Sequence, residues 1–353
     1  MLKKLFGSKE KFFKLSIEGV DSSIQISNKE SILQAALREG VKFPHSCRVG
    51  GCTMCKCRVV SGDVKQLTET AYVLTKEELQ QNYVLACQCQ PKSDVKVEVD
   101  FERMGDLPEH KLVTTAATIK EKKTLTADII ELVVSTQDVV EFTPGQYAEI
   151  SAPGKFDEPR AYSFASAGHA DPKQLSFFIR AVPNGKVSNW FVSEAVIGDS
   201  LQIEGPSGDF HLRESLAPMI CIAGGSGLAP VLSILEDANK KLVDRDVVMF
   251  FGARTEKDLY GLDRIEEIKQ KWEGDFDFIP VLSEEAEDAE WQGKRGFVTE
   301  VFKEYCTPEH QIYMCGPPPM IDSAIEIATA IGVKEEEIFF DKFLDRSAVS
   351  STS

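Results

Sequence analysis

Six of the nine cysteines in this 353-residue chain lie between residues 47 and 89, and this cluster constrains the fold more than any other feature of the sequence. No apolar run approaches the roughly 20 residues of a membrane span, and the amino terminus lacks the apolar stretch of a secretory signal. We therefore expect a cytoplasmic protein without a membrane span, in a compartment where thiols stay reduced. A tight cysteine cluster in such a compartment predicts a metal site rather than disulfides.

The spacing within the cluster indicates the kind of metal site. Cys47, Cys52 and Cys55 are separated by four and two residues, the spacing that binds a [2Fe–2S] cluster together with one distant cysteine. The distant ligand is Cys87 or Cys89, and we choose Cys87 because it follows the strand-like segment YVLA. A zinc site is the alternative, but the sequence lacks the paired C-x2-C arrangement of zinc sites. The predicted metal ligands are Cys47, Cys52, Cys55 and Cys87.

Residues beside the predicted ligands agree with this interpretation. Gly50 and Gly51 allow the loop to wrap tightly around a cluster. Cys57 and Cys89 each alternate with a predicted ligand along an extended segment, so their side chains would point to the opposite face. We expect these two cysteines to be structural.

The remaining pattern divides the chain into three folded regions. Residues 12–99 contain a hairpin, a short helix and returning strands, which predicts a small α+β domain. A polar linker at 101–112 precedes closely spaced short strands over 112–213, which predict an antiparallel barrel. From residue 219 onward, buried strands alternate with helices, which predicts an α/β domain with a parallel sheet.

Two motifs in the third region each lie at the end of a predicted strand. GGSGLAP (224–230) joins a strand to a helix, and such a turn lets a pyrophosphate approach backbone amides at the positive end of the helix. Pro230 replaces the last glycine of G-x-G-x-x-G, so this is not the fingerprint of standard dehydrogenases. CGPPPM (315–320) closes the fourth strand.

Taken together, these features resemble a known family. Residues 12–100 look like a plant-type ferredoxin, and the two following regions resemble the ferredoxin–NADP reductase superfamily. That second likeness rests on RAYS (160–163), Gly185-x-x-Ser188, GGSGLAP and CGPPPM. The domain order is similar to that of the reductase components of bacterial multicomponent oxygenases, over residues 12–345. The resemblance implies an NADH-dependent reductase that passes electrons via FAD and a [2Fe–2S] cluster to the hydroxylase of a di-iron hydrocarbon monooxygenase.

The resemblance also implies a division into domains. We expect a basic N-terminal arm at 1–14, an α+β (β-grasp) ferredoxin domain at 15–103, an FAD-binding antiparallel β-barrel at 110–213, an NAD-binding α/β domain at 214–345 and a disordered tail at 346–353.

The family's flavin motifs imply which residues would hold FAD. An arginine such as Arg160 can pair with a pyrophosphate, Tyr162 can pack against the flavin ring, and the Ser163 hydroxyl can reach flavin N5. FMN is the alternative, but the related FMN-binding reductases place their ferredoxin last. The residues implied for FAD are Arg160, Ala161, Tyr162, Ser163, Ile179, Arg180, Gly185, Lys186, Val187 and Ser188.

The nucleotide motifs imply a second set of residues. The resemblance places Cys315 beside the nicotinamide, and carboxylates after Arg254 could accept ribose hydroxyls and repel a 2′-phosphate, which favours NADH over NADPH. Phe343 is the aromatic ring that would shield the flavin, although all three phenylalanines of 339–343 could instead be core residues. The residues implied for NADH are Gly224, Gly225, Ser226, Gly227, Pro230, Gly252, Arg254, Glu256, Asp258, Cys315, Gly316 and Pro317.

Charge is unevenly distributed along the chain. The net charge of −16 argues against a nucleic-acid partner. Residues 1–105 carry a balance of +3 and the remainder −19, so we expect a near-neutral to basic face toward the oxygenase partner. The arm at 1–14 is either a solvated tail or a weak amphipathic contact with anionic lipid, which would suit a membrane-bound hydroxylase.

Other functions remain open at this point. Similar reductases serve Rieske aromatic-ring dioxygenases, desaturases and deoxysugar dehydratases, and nothing in the sequence identifies the acceptor's substrate. A non-catalytic redox carrier is an alternative of another class, and the intact flavin and nicotinamide motifs argue against it.

Overall fold

The computed structural model describes residues 10–45, 50, 53–68, 73–101 and 110–343. The chain forms two compact units, Met1–Asp106 and Leu107–Ser353. Most of the predicted linker and N-terminal arm, and all of the predicted tail, lie outside the described residues.

The first unit is an α+β domain with one mixed sheet in the order β2-β1-β7-β3-β5. The predicted hairpin is present as the antiparallel pair β1 and β2, and β1 also pairs in parallel with β7. A capping box between Ser31 and Gln34 begins helix α1, which buries one apolar face against the sheet. The elements are β1 Phe12–Ile17, β2 Ile24–Ser27, α1 Ile32–Arg38, β3 Lys56–Ser61, β4 Val64–Gln66, α2 Lys76–Gln80, β5 Tyr83–Leu85, β6 Cys89–Pro91 and β7 Val95–Val99.

The second unit begins with a six-stranded antiparallel sheet in the order β11-β10-β13-β8-β9-β12. A bridge between Phe164 and Phe177 joins the two edge strands, so the sheet closes into the predicted barrel. The elements are β8 Val113–Thr124, β9 Ile129–Thr136, β10 Tyr147–Ala152, β11 Phe156–Ser163, β12 Gln174–Arg180, α3 Lys186–Asn189 with a continuing turn Trp190–Glu194, and β13 Ser200–Ser207.

The rest of the second unit is the predicted parallel sheet, in the order β17-β16-β15-β14-β18-β19. Helix α4 begins at Leu228, three residues before the sequence suggests, because Pro230 lies in its first turn, where no intrahelical N–H bond is lost. The elements are β14 Met219–Gly224, α4 Leu228–Lys240, β15 Val247–Ala253, α5 Leu262–Gln270, β16 Phe276–Leu282, β17 Lys294–Arg295, α6 Val298–Phe302, β18 Gln311–Gly316, α7 Pro318–Ile331 and β19 Ile338–Lys342.

The strand order of the parallel sheet reverses at β14. The chain runs outward from β14 through β15 to β17, then returns to the other side of β14 with β18. Ligands of open α/β sheets bind in the crevice at the carboxyl ends of the strands where the order reverses. The fold therefore places the binding crevice between the ends of β14 and β18, where both strand-ending motifs lie.

The barrel and the parallel sheet share one apolar core within the second unit. Ile129, Ala165 and Phe178 of the barrel are nearly fully buried in the same cluster as residues of α4 and α5. This shared core fixes the flavin-motif strands against the crevice.

Candidate functional site

The predicted cluster site lies where the cysteine loop meets the turn after β5. Cys55 precedes β3, and Cys87 lies in the short turn Ala86–Gln88. The backbone N–H of Ala86 donates a 2.9 Å hydrogen bond to the carbonyl of Cys55, so the two ligand-bearing segments are directly joined. Cys47 and Cys52 lie outside the described residues.

Gly50 ties the cysteine loop to the same turn. Its φ of +83° is in the left-handed region, and an added Cβ would lie 2.8 Å from Cγ of Gln88. A side chain at residue 50 would therefore be strained and would collide with the residue that follows Cys87. The donor set and the close approach of Gly50 to Gln88 fit a thiolate-held cluster.

Cys57 and Cys89 are buried in the same core cluster as the predicted ligands Cys55 and Cys87. Both are at most 1% exposed and belong to the apolar core of the first unit. Burial raises the pKa of Cys89 to about 12 and that of Cys57 well above its ordinary value, with the neighbouring Cys55 adding to both. These are neutral core thiols.

The two flavin motifs are neighbours in the barrel. The Tyr162 ring on β11 lies edge-on to Phe191, with ring centroids 5.7 Å apart, and Phe191 belongs to the turn that continues α3. Burial raises the pKa of Tyr162, so its phenol stays protonated. The Arg160 guanidinium donates to the Pro159 carbonyl at 3.0 Å and to the Glu158 carboxylate at 3.1 Å, and its side chain is 30% exposed. A half-buried guanidinium two residues before a strand tyrosine fits a site for a flavin and its pyrophosphate.

Ser163 and Ser188, which are also implied for FAD, are buried. Ser163 ends β11 and is 3% exposed, paired in register with Tyr147. The Ser188 hydroxyl accepts a 3.2 Å hydrogen bond from the N–H of Val182, so it closes the turn that contains Gly185. The remaining residues differ in burial: Ala161 and Lys186 are exposed, and Ile179 and Val187 are buried in the barrel core.

The two nucleotide motifs pack backbone to backbone at the switch point. A Cβ added to Gly227 would lie 2.2 Å from the carbonyl oxygen of Cys315. Gly224 lies against the side chains of Met320 and Pro317, and Gly316 lies against the Gly224 backbone. Helix α4 follows directly on the short helical turn Gly225–Gly227, and the N–H of Leu228 donates to the carbonyls of Gly225 and Ser226. No side chain caps the helix at Gly227, and the positive end of the helix dipole favours an anion there.

Arg180, one of the residues implied for FAD, lies next to Gly225, one of the residues implied for NADH. An ideal Cβ on Gly225 would lie 3.2 Å from Nη1 of Arg180, which is the last residue of β12. On the opposite side of the turn, the Tyr260 hydroxyl donates a 2.9 Å hydrogen bond to the carbonyl of Gly225. The structure therefore brings one residue of the FAD set into contact with the NADH set.

Cys315 and Phe343 meet at the end of β18. The Cys315 side chain is fully buried, and burial raises the pKa of its thiol well above the ordinary value. The N–H of Phe343 donates a 2.9 Å hydrogen bond to the Gly316 carbonyl, and its half-buried ring packs on the core cluster that contains Cys315. Phe339 stacks on Tyr313 with ring centroids 5.1 Å apart and is a packing residue.

The residues after β15 form a charged group. Asp258 accepts a 2.7 Å hydrogen bond from Arg254 and two further bonds from Thr255, so its carboxylate is largely occupied, whereas Glu256 is exposed. Burial acts to raise the pKa of Asp258, but the bonds from Arg254 and Thr255 outweigh it and lower the pKa. Arg254 also reaches Asp128 of the barrel at 3.1 Å. Asp128 was not predicted as a site residue, because an aspartate before a strand has no distinctive sequence signal.

Known protein families match the chain in three places. Three family models match the chain: a 2Fe-2S iron-sulfur cluster binding domain at 15–92, an oxidoreductase FAD-binding domain at 116–212 and an oxidoreductase NAD-binding domain at 221–326. The electron transfer component of xylene/toluene monooxygenase from Pseudomonas putida is 41% identical over 333 residues, 94% of each chain. The chain belongs to the iron–sulfur flavoprotein reductase components of oxygenases.

Two further relatives extend this family. The reductase component of propane 2-monooxygenase from Mycolicibacterium smegmatis is 34% identical, over 94% of this chain and 97% of the relative. The solved structure of the ferredoxin reductase in carbazole 1,9a-dioxygenase is 29% identical with a TM-score of 0.78, over 96% of this reductase and 100% of that chain. The reductase is an oxidoreductase that uses NAD, FAD and a [2Fe–2S] cluster, which confirms the predicted fold class and cofactors. The individual site residues stay predictions.

Proposed function

We propose that this reductase takes electrons from NADH and delivers them to the hydroxylase of a di-iron hydrocarbon monooxygenase. The observation that carries the proposal is the contact between Arg180 of the flavin-motif strand and Gly225 of the nucleotide turn, because hydride transfer requires the two sites to adjoin. When bound, FAD supplies two-electron acceptance and one-electron release, and the cluster supplies one-electron transfer. The similarity to hydrocarbon monooxygenase reductases supports this acceptor class.

The chain's own residues hold and orient the reacting groups. The α4 amino terminus and the turn at 224–227 bind the nucleotide pyrophosphate. Arg160 neutralises the FAD pyrophosphate, Tyr162 packs against the flavin ring, and the Ser163 hydroxyl offers a hydrogen bond at flavin N5. Cys315 borders the nicotinamide position, and the Phe343 ring shields the flavin. In the first unit, Cys47, Cys52, Cys55 and Cys87 hold the cluster as thiolates.

Reconstitution tests this function directly. The purified chain, loaded with FAD, iron and sulfide, is expected to reduce cytochrome c with NADH, and the same chain without FAD is expected to show background rates. A non-catalytic redox carrier would show no NADH-dependent reduction even when fully loaded, and that result would reject the proposal.

A second candidate acceptor is a Rieske dioxygenase. The structural similarity to the ferredoxin reductase in carbazole 1,9a-dioxygenase favours it over a desaturase or dehydratase. Purified di-iron hydroxylase and Rieske oxygenase, each supplied with the reductase and NADH, separate the two. Product from the Rieske oxygenase alone would replace the first proposal with the second.

The reductase is expected to prefer NADH over NADPH. The exposed carboxylate of Glu256 would repel a 2′-phosphate. A tenfold ratio of kcat/KM corresponds to about 1.4 kcal/mol, so even a modest repulsion gives a ratio of about ten. Steady-state cytochrome c reduction with each nucleotide measures the ratio. A higher kcat/KM with NADPH would contradict this assignment.

We also propose that the reductase works in the cytoplasm and touches the membrane surface weakly through its N-terminal arm. Among the residues that the structure describes, no helix combines the length and the apolar composition of a bilayer span. The arm carries Lys3, Lys4, Lys9, Lys11 and Lys14 interspersed with apolar residues, a composition that favours anionic lipid. Removing residues 1–11 is expected to reduce co-sedimentation with anionic liposomes and leave cytochrome c reduction intact. Unchanged co-sedimentation would show that the arm is a solvated tail.

A further inference from the structure

Asp128 links the barrel to the nucleotide-binding domain. It lies just before β9, and its Oδ2 accepts hydrogen bonds from Nε of Arg180 at 3.0 Å and from Nη2 of Arg254 at 3.1 Å. The Thr126 hydroxyl donates to its other oxygen at 3.0 Å. The Asp128 carboxylate thus accepts hydrogen bonds from three side chains, which include one arginine from each of the two domains.

Arg254 is the member of this group that belongs to the residues implied for NADH. It directly follows β15, which neighbours β14 at the switch point. Its guanidinium is shared between Asp128 and Asp258, at 3.1 Å and 2.7 Å. Both carboxylates accept a hydrogen bond from the same Arg254 nitrogen, Nη2, and these two bonds orient the guanidinium.

The charges of the four groups cancel. Arg180 and Arg254 contribute two positive charges, and Asp128 and Asp258 contribute two negative charges. A 2′-phosphate requires an uncompensated arginine, because planar guanidinium groups recognise phosphate through paired hydrogen bonds. An arginine that is neutralised by two carboxylates offers little to such a phosphate.

We propose that Asp128 is a specificity-determining positioning residue, which neutralises Arg254 from the flavin-binding domain and so disfavours nucleotides with a 2′-phosphate. The inference rests on the proposed NADH site and adds a determinant outside the nucleotide-binding domain. Asp128 acts through Arg254 and does not touch the nucleotide itself.

The test replaces Asp128 and compares two adenine nucleotides. Asp128→Asn leaves one positive charge uncompensated, so affinity for 2′,5′-ADP relative to 5′-AMP is expected to rise by about tenfold, the size of one charge-assisted hydrogen bond. Isothermal titration of the FAD-loaded chain measures both affinities without turnover. In kinetics, KM for NADPH should fall while kcat with NADH changes little.

Matched variants separate this role from a structural one. Asp128→Glu keeps the charge and is expected to restore the parental affinity ratio. Glu131→Gln, on β9 beside Arg264, removes an equal charge and should leave the ratio unchanged. Asp128→Asn combined with Arg254→Gln should lose the gain, because the gain requires the arginine.

The outcomes distinguish this inference from the proposed function. If the parent binds 5′-AMP and Asp128→Asn leaves the ratio unchanged, the inference is wrong and the nucleotide site stands. If both affinities fall together, Asp128 is only structural and the inference is again wrong. If the parent binds neither nucleotide, the proposed NADH site fails and the inference fails with it.

Discussion

Replacing Cys87 with alanine is expected to remove the iron–sulfur cluster and to reduce NADH-dependent cytochrome c reduction to background. The turn that carries Cys87 is hydrogen-bonded to Cys55 through Ala86, so the loss of this thiolate opens the cluster site at its distant end. Iron and acid-labile sulfide per chain measure the loss. FAD content and the bleaching of FAD by NADH should stay at parental levels, because both belong to the other unit.

Cys89→Ala is the matched control for this experiment. Cys89 lies two residues away and is fully buried in the apolar core, so its loss is expected to cost about 1 kcal/mol of unfolding free energy. Its iron content should remain parental. Iron retained in Cys87→Ala and lost in Cys89→Ala would show that the ligand assignment is reversed.

Gly227→Ala is expected to lower kcat/KM for NADH by about 100-fold. The added Cβ would lie 2.2 Å from the Cys315 carbonyl, so the glycine turn and the β18 motif must move apart by about 1 Å, enough to misplace the nucleotide. FAD and iron content should be unaffected. Steady-state kinetics with NADH, together with a thermal melt, separates the binding defect from unfolding.

Gly168→Ala provides the control for adding a methyl group. Among the described residues, no atom lies within 4 Å of a Cβ added at residue 168. Because the φ of Gly168 is +99°, the substitution is expected to lower the free energy of unfolding by about 1 kcal/mol. Activity should therefore persist at moderate temperature. Parental kcat/KM in Gly227→Ala would contradict the packing of the two motifs.

The sequence predicts the parallel-sheet domain well because its strands are continuous apolar runs. Met219–Gly224 is buried at every position, which leaves little ambiguity in the pattern. The sequence predicts only short strands over 112–213, whereas strand Val113–Thr124 of the barrel has twelve residues and is the longest strand described. Its second half is lysine-rich and exposed, so the alternation that marks a half-buried strand is lost there.

The contacts between the motifs of the site cannot be predicted from the sequence alone. A glycine-rich turn predicts close approach of a pyrophosphate, but the sequence cannot show that Gly227 also makes room for the Cys315 backbone. Asp128 and Arg254 are 126 residues apart, so their contact depends on how the barrel and the parallel sheet pack. Local sequence motifs indicate which cofactor-binding residues are present. Which residues of the barrel contact residues of the parallel-sheet domain can be seen only in the folded structure.

Anaerobic mixing of the fully loaded reductase with NADH tests the central claim most directly. Optical spectra follow the flavin, and electron paramagnetic resonance of frozen samples follows the cluster. The account predicts that NADH bleaches the flavin and then produces the signal of the reduced cluster, and that Cys87→Ala bleaches without that signal. A parent protein whose flavin bleaches while its intact cluster stays oxidised would contradict electron transfer from NADH through FAD to the cluster.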